Sequence, residues 1–146
     1  QILRLQAPPG ARLRHTVRAF TDGFEVYLVP REGGEVVVGA SVEERGFDDT
    51  VTAGAVHDLL RDARRVVPGS SEYTLVECGV GWRPGTPDNA PILGRSPVEG
   101  LLLATGHHRN GVLLTPITAE LIADLVVEDR LDALLEPHGL DRFGNR

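Results

Sequence analysis

Residues 26–43 read Val-Tyr-Leu-Val-Pro-Arg-Glu-Gly-Gly-Glu-Val-Val-Val-Gly-Ala-Ser-Val-Glu, and the fold class turns on this stretch. Val26 to Pro30 and Glu35 to Glu43 carry the β-branched and aromatic side chains that suit strands. Arg31-Glu32-Gly33-Gly34 lies between them and supplies glycine where a tight turn needs positive φ. The stretch therefore reads as a β-hairpin. A turn centred on Gly33-Gly34 puts Tyr27 opposite Ala40, and directly opposed side chains share a face. Tyr27, Val29, Val38, Ala40 and Val42 are then expected on one surface. A slip of one residue would undo that expectation.

Upstream, Ile2-Leu3-Arg4-Leu5 alternates as a short strand, and His15 to Phe20 forms a weaker one. Downstream, Val56, Leu59, Leu60, Ala63, Val66 and Val67 recur at helical spacing, so 52–67 is an amphipathic helix. Thr50 or Thr52 caps it and Pro68-Gly69 ends it. Its polar face, with Asp58, Arg61, Asp62, Arg64 and Arg65, is expected in solvent. Tyr73 to Val80 and Pro91 to Gly94 read as strands, and Leu101 to Thr105 as a strand of buried type. Thr115-Pro116 looks like an N-cap and first helical residue, opening a helix through Leu121, Ile122, Leu125 and Val126. A last turn spans Leu131 to Leu135, and the tail from Asp141 is expected to fray. Hairpin-joined strands interleaved with two helices predict an α+β fold. Its mainly antiparallel sheet carries the amphipathic helix, and a strand–helix unit follows at the C-terminal end.

Composition narrows the function classes. The 146 residues carry a net charge of −6, and all 15 basic residues are arginine. An acidic balance without a basic run argues against nucleic acid or an anionic membrane as partner. No apolar run approaches the ~20 residues of a membrane-spanning helix. Cys78 is the only cysteine, which leaves no internal disulfide and fits a reducing, cytoplasmic setting. In its Val-rich surroundings it reads as a small hydrophobe. The sequence has no methionine and opens directly on a strand, so a longer parent protein is expected.

Two segments have the composition of sites. Gly106-His107-His108-Arg109-Asn110-Gly111 joins a strand to a helix, where free N–H groups and partial positive charge suit an anion or an electron-rich carbonyl. Adjacent histidines also admit a metal, and a polar structural turn is the plain alternative. Gly81-Trp82-Arg83-Pro84-Gly85-Thr86-Pro87-Asp88 holds an arginine in restricted backbone. A guanidinium fork fits a carboxylate bidentately, though a local Asp or Glu is an equally common partner. Tyr27 reads as core or as ligand-binding. Gly79-x-Gly81-x-x-Pro84 misses the dinucleotide fingerprint at its last position. Phosphate-loop, Gly-x-Ser-x-Gly and His-Glu-x-x-His motifs are absent.

Three blocks together carry a resemblance. They are VYLVPREGGEVVVGASVEERGFD (26–48), GWRPGTPDNAPILGRSP (81–97) and LLLATGHHRNGVLLTPITAELIADL (101–125). In this order they resemble the C-terminal part of the glycine oxidases, FAD-dependent amine oxidases of thiamine biosynthesis in the D-amino-acid oxidase superfamily. The similarity runs from Gln1 to about Val127. It implies an enzyme that oxidises glycine or a small amine by hydride transfer to FAD. Oxygen is then reduced to peroxide, and the imine feeds thiazole synthesis. Carried over residue by residue, Arg83 is the carboxylate clamp, and Tyr27 donates to the same carboxylate. Arg109 is a second arginine near substrate and flavin, and Val42 stands where a larger residue lines the pocket. His107, His108, Arg109, Asn110, Gly111, Val112 and Leu113 form the stretch along the flavin.

The resemblance also implies a division of the chain. Residues 1–90 belong to the substrate domain and 91–146 to the flavin domain, whose dinucleotide-binding half has no counterpart in this sequence. The chain alone is therefore expected neither to hold FAD tightly nor to turn over glycine, and the whole enzyme is expected to be a homo-oligomer. A sarcosine-type or D-amino-acid oxidase or dehydrogenase, or a stand-alone carboxylate-binding module, is the alternative.

Overall fold

Five strands and a helix, β1 (Ile2–Gln6), β2 (Val17–Thr21), β3 (Phe24–Pro30), β4 (Glu35–Gly39), α1 (Ala53–Val66) and β5 (Thr74–Gly79), make up the first of two compact units, Gln1–Trp82. They come from a computed structural model that describes residues 1–144. The sheet runs β2-β3-β4-β1-β5 and every pairing in it is antiparallel.

The hairpin forms, with its register one residue away from expectation. Arg31 N–H donates to Glu35 O at 2.7 Å across a three-residue turn, Glu32–Gly34, in which Gly33 and Gly34 both have positive φ. An odd loop centred on Gly33 sets Tyr27 opposite Gly39, not Ala40, and Leu28 opposite Val38. The faces change accordingly. Val38 joins Leu28, Leu3, Leu5, Val26 and Val36 in the core, while Tyr27 and Val29 share the other face with Val37 and Gly39. β4 also stops at Gly39, so Ala40 and Val42 lie beyond the strand.

Helix α1 covers the core face. Its Thr52 cap accepts from Ala55 N–H at 3.3 Å, and Leu59 and Ala63 are buried against the sheet, with Val56, Leu60, Val66 and Val67 beside them. Full burial of each large aliphatic side chain contributes about 1.5–3 kcal/mol, which sets the rotation of the helix. The polar face is not all in solvent: Asp62 is buried. Arg61 accompanies it with two bonds, Nε to Oδ1 at 2.8 Å and Nη2 to Oδ2 at 3.1 Å. That pairing holds the Asp62 carboxyl below its ordinary range although burial pushes the other way.

The second unit begins at Arg83. In it β6 (Ile92–Arg95) pairs antiparallel with β7 (Leu102–Thr105), and α2 spans Gly111–Val127. Leu93, Leu121, Leu125 and Leu135 form its core. Three expectations change here. The leucines of β7 are only half-buried, because β7 has one neighbouring strand among the described residues. Helix α2 starts at Gly111 after Asn110, and Pro116 sits inside it. The proline gives up the bond to the exposed carbonyl of Val112, while Thr115 Oγ1 turns back to Gly111 O at 2.7 Å. Of the tail from Asp141, the residues up to Phe143 lie in a 3-10 turn, Leu140–Phe143, and 145–146 lie outside the described residues. Among the described residues no helix is long and apolar enough to cross a membrane.

Candidate active site

In the first unit, Tyr27 stands on the sheet face away from α1. Its ring lies over Gly39, where a Cβ would run into the ring and the hydroxyl. The hydroxyl makes no hydrogen bond among the described residues, so it remains available as a donor. Val42 is exposed in the segment after β4. Phe47 and Trp82 pack as a tilted aromatic pair with centroids 6.4 Å apart.

In the second unit, the two candidate segments are brought together. His108 N–H donates to Pro84 O at 3.0 Å, joining the loop after β7 to the residue after Arg83. Gly106 has φ +78°, and a Cβ there would meet Thr86 Cγ2 at 2.5 Å, so the loop can approach only as glycine. Arg83 is half-buried and has no ion pair or hydrogen bond among the described residues. The local-partner reading of Arg83 therefore fails, because the nearest carboxylate in sequence is already taken. Asp88 Oδ2 and Oδ1 accept from Arg142 Nε at 2.8 Å and Nη2 at 3.1 Å. Thr86 Oγ1 and the amide of Ala90 also donate to Oδ1, at 3.0 and 3.1 Å. Arg142 above all holds the Asp88 carboxyl far below its usual range. Neither Asp88 nor Arg142 was singled out in the sequence. Thr86-Pro87-Asp88-Asn89 is recognisable as a turn, but nothing local announces its distant arginine.

The His107–Leu113 stretch divides its roles. His107 Nε2 lies 3.0 Å from Thr118 Oγ1 and so fixes the loop to α2. His108 takes φ +49°, and Arg109 and Asn110 are exposed. Asn110 places no side-chain cap on the helix, whose first turn carries no acidic residue. The first amides of α2 thus lack a cap, and Val112 and Leu113 beside them are 92% and 77% exposed. Bare N–H donors next to apolar surface fit the carbonyl edge and flat face of a flavin ring. Among the described residues no three His, Cys, Asp or Glu side chains gather as a metal site. Two surface hollows lie elsewhere: about 460 Å³ beside α1 and about 950 Å³ between β6 and the tail. Neither is lined by Arg83, Arg109 or Tyr27.

Comparison with known proteins shows the family. Residues 1–125 match the family model described as FAD dependent oxidoreductase. The chain is 45% identical, over 92% of its length and 21% of the relative's, to the bifunctional protein ThiO/ThiG of Nostoc sp.. It is 41% identical to the glycine oxidase of Geobacillus kaustophilus, over 80% of this chain and 31% of that protein. The crystal structure of glycine oxidase from Geobacillus kaustophilus superposes with a TM-score of 0.81 at 38% identity, covering 97% of this chain and 37% of that one. The chain thus spans between a fifth and two fifths of the length of these relatives.

Proposed function

The chain belongs to the FAD dependent oxidoreductase family, and from that premise we propose that it is the substrate-facing and C-terminal portion of a glycine oxidase. Residues 1–90 serve the substrate domain and 91–146 the flavin domain. The observation that carries this reading is the unpaired Arg83, beside a loop whose helix start presents uncapped amides.

Arg83 binds the substrate carboxylate through its guanidinium fork, and the Tyr27 hydroxyl donates to the same group. Arg109 adds positive charge near the reacting end. Two anchors on the carboxylate fix the direction of Cα, which is the main catalytic service a protein gives when a cofactor does the chemistry. FAD held here would supply the oxidation, as the acceptor of a hydride from Cα while the neutral amine, after losing a proton, becomes an imine; oxygen would then regenerate the cofactor with release of hydrogen peroxide. The amides of Gly111, Val112 and Leu113 would hold the ring and favour negative charge on it. His107 and His108 hold that stretch through Thr118 and Pro84. The similarity to ThiO/ThiG proteins supports supply of the imine to thiazole formation in thiamine biosynthesis. Val42, small and exposed, leaves room for substrates larger than glycine.

The test uses the full-length enzyme loaded with FAD and a peroxide assay with glycine, D-alanine and sarcosine. Arg83→Ala raises KM for glycine by about 30- to 1,000-fold, the loss of a bidentate charged pair of about 2–4 kcal/mol. Val42→Met shifts preference toward glycine. A flavin-loaded enzyme that makes no peroxide with any of the three amines refutes the proposal.

A further inference from the structure

We infer that Arg142 is a positioning residue that keeps Arg83 open for substrate by holding Asp88 away from it. The inference rests on the carboxylate-clamp reading of Arg83. Arg142 lies beyond residues 1–125, the stretch matched by the family model.

The geometry is complete at Arg142. A guanidinium has five N–H donors, and all five are placed. Nε and one Nη2 hydrogen go to the two Asp88 oxygens, and the other Nη2 hydrogen to Ala90 O at 2.9 Å. The two Nη1 hydrogens go to His138 O at 2.8 Å and Gly139 O at 3.0 Å. Arg142 is also well shielded, with a side-chain exposure of 16%. The carboxylate that this fully satisfied guanidinium meets is the nearest one in sequence to Arg83.

Two consequences follow from charge alone. Without Arg142, Asp88 is an uncompensated anion in the segment that carries a half-buried, unpaired guanidinium. An internal carboxylate tethered so close competes with any carboxylate ligand at high effective concentration. The clasp also braces Thr86, whose methyl sets the approach of Gly106, so the same contact sits behind both candidate segments.

The experiment separates competition from general support. In the 146-residue chain, the Asp88 carboxyl is titrated by carbon NMR in wild type, Arg142→Gln, and Arg142→Gln with Arg83→Ala. Arg142→Gln removes the charge and most of the five donors while keeping a polar side chain; Arg142→Ala is the harsher companion. The expected result is that Asp88 stays more depressed in Arg142→Gln than in the double variant, where only the bonds from Thr86 and Ala90 remain to lower it. Equal Asp88 titration in the single and double variants overturns the inference. Acetate is then titrated against the Arg83 Nε–H signal. Binding weakens roughly fivefold in Arg142→Gln and recovers when Asp88→Asn is added, as expected for an ion pair of modest strength. A loss that Asp88→Asn does not repair also overturns it. A wild-type Arg83 signal indifferent to acetate instead counts against the carboxylate-clamp reading, and the Asp88 titration still decides the clasp.

Discussion

Gly39 stays bare because Tyr27 lies over it. With Tyr27 opposite Gly39 in the register, any side chain there meets the phenol ring and its hydroxyl. Gly39→Ala therefore pushes the ring aside or shifts the strand, at a cost of about 1–3 kcal/mol as overpacking. On the proposed role of Tyr27, a displaced ring withdraws its hydroxyl from the substrate carboxylate, and KM for glycine rises roughly tenfold, the worth of one charge-assisted hydrogen bond. Steady-state kinetics on Gly39→Ala, Tyr27→Phe and the double variant check this: the two losses overlap if both act through the hydroxyl, and full additivity refutes it. A glycine inside a strand does signal close backbone approach. Its partner was not readable, because that depended on a register the loop length decides. Arg83 shows the same limit. Its free state hangs on Arg142, 54 residues from Asp88, and local sequence carries no trace of that pairing.

Helix α1 was legible because its core lies within the same unit. The stripe from Val56 to Val67 meets the sheet, so periodicity and packing say the same thing. Thr52 caps it and is itself gripped by Gln1, which accepts from Thr52 N–H at 3.0 Å and donates to Thr52 Oγ1 at 3.2 Å. Thr52→Ala is expected to cost about 1–2 kcal/mol, read as a lower denaturation midpoint at unchanged slope. Thr52→Ser recovers most of it. No change in either variant would mean that the Gln1 contacts, not the cap, hold this end. Helix α2 was harder to delimit, because it is apolar on nearly all sides and offers no stripe. Thr115-Pro116 imitates a start signal, yet the first turn lies earlier, where Gly111 meets the His107 loop. The hairpin's existence was plain from composition and its register was not, since one extra residue in the turn exchanges the faces.

Across the whole molecule, the resolved acid shifts point one way. Glu43, Asp48, Asp62 and Asp88 are all lowered by hydrogen bonds to Ser41, Thr50, Arg61 and Arg142 respectively, each the largest cause. A carboxylate whose folded pKa is depressed adds stability above its unfolded pKa and loses it as pH falls through the folded value. The melting temperature is therefore expected to be level from about pH 7 to 5 and to drop below about pH 4. Asp88→Asn should flatten that drop, and an equally steep fall without Asp88 would contradict it. Exposure supplies the last prediction. Leu101, Val112, Leu113, Val126 and Val127 are large apolar side chains in solvent, all in the second unit, and most lie on α2. Exposed apolar side chains in such number mark an interaction surface, and Val112 and Leu113 adjoin the amides assigned to the flavin ring. The chain spans 21% of the Nostoc relative and 37% of the solved glycine oxidase, so most of the length of such proteins has no counterpart in these 146 residues. Produced as these 146 residues, the chain is expected to bind a hydrophobic dye, to associate with rising concentration, and to retain less than stoichiometric FAD after gel filtration. Val112→Ser with Leu113→Ser should reduce dye binding and association together while leaving the melt of the first unit unchanged, because neither residue belongs to that unit. A monomer at high concentration that holds one flavin per chain would show that this face is already complete, and that the adenosine half of the cofactor needs no further domain.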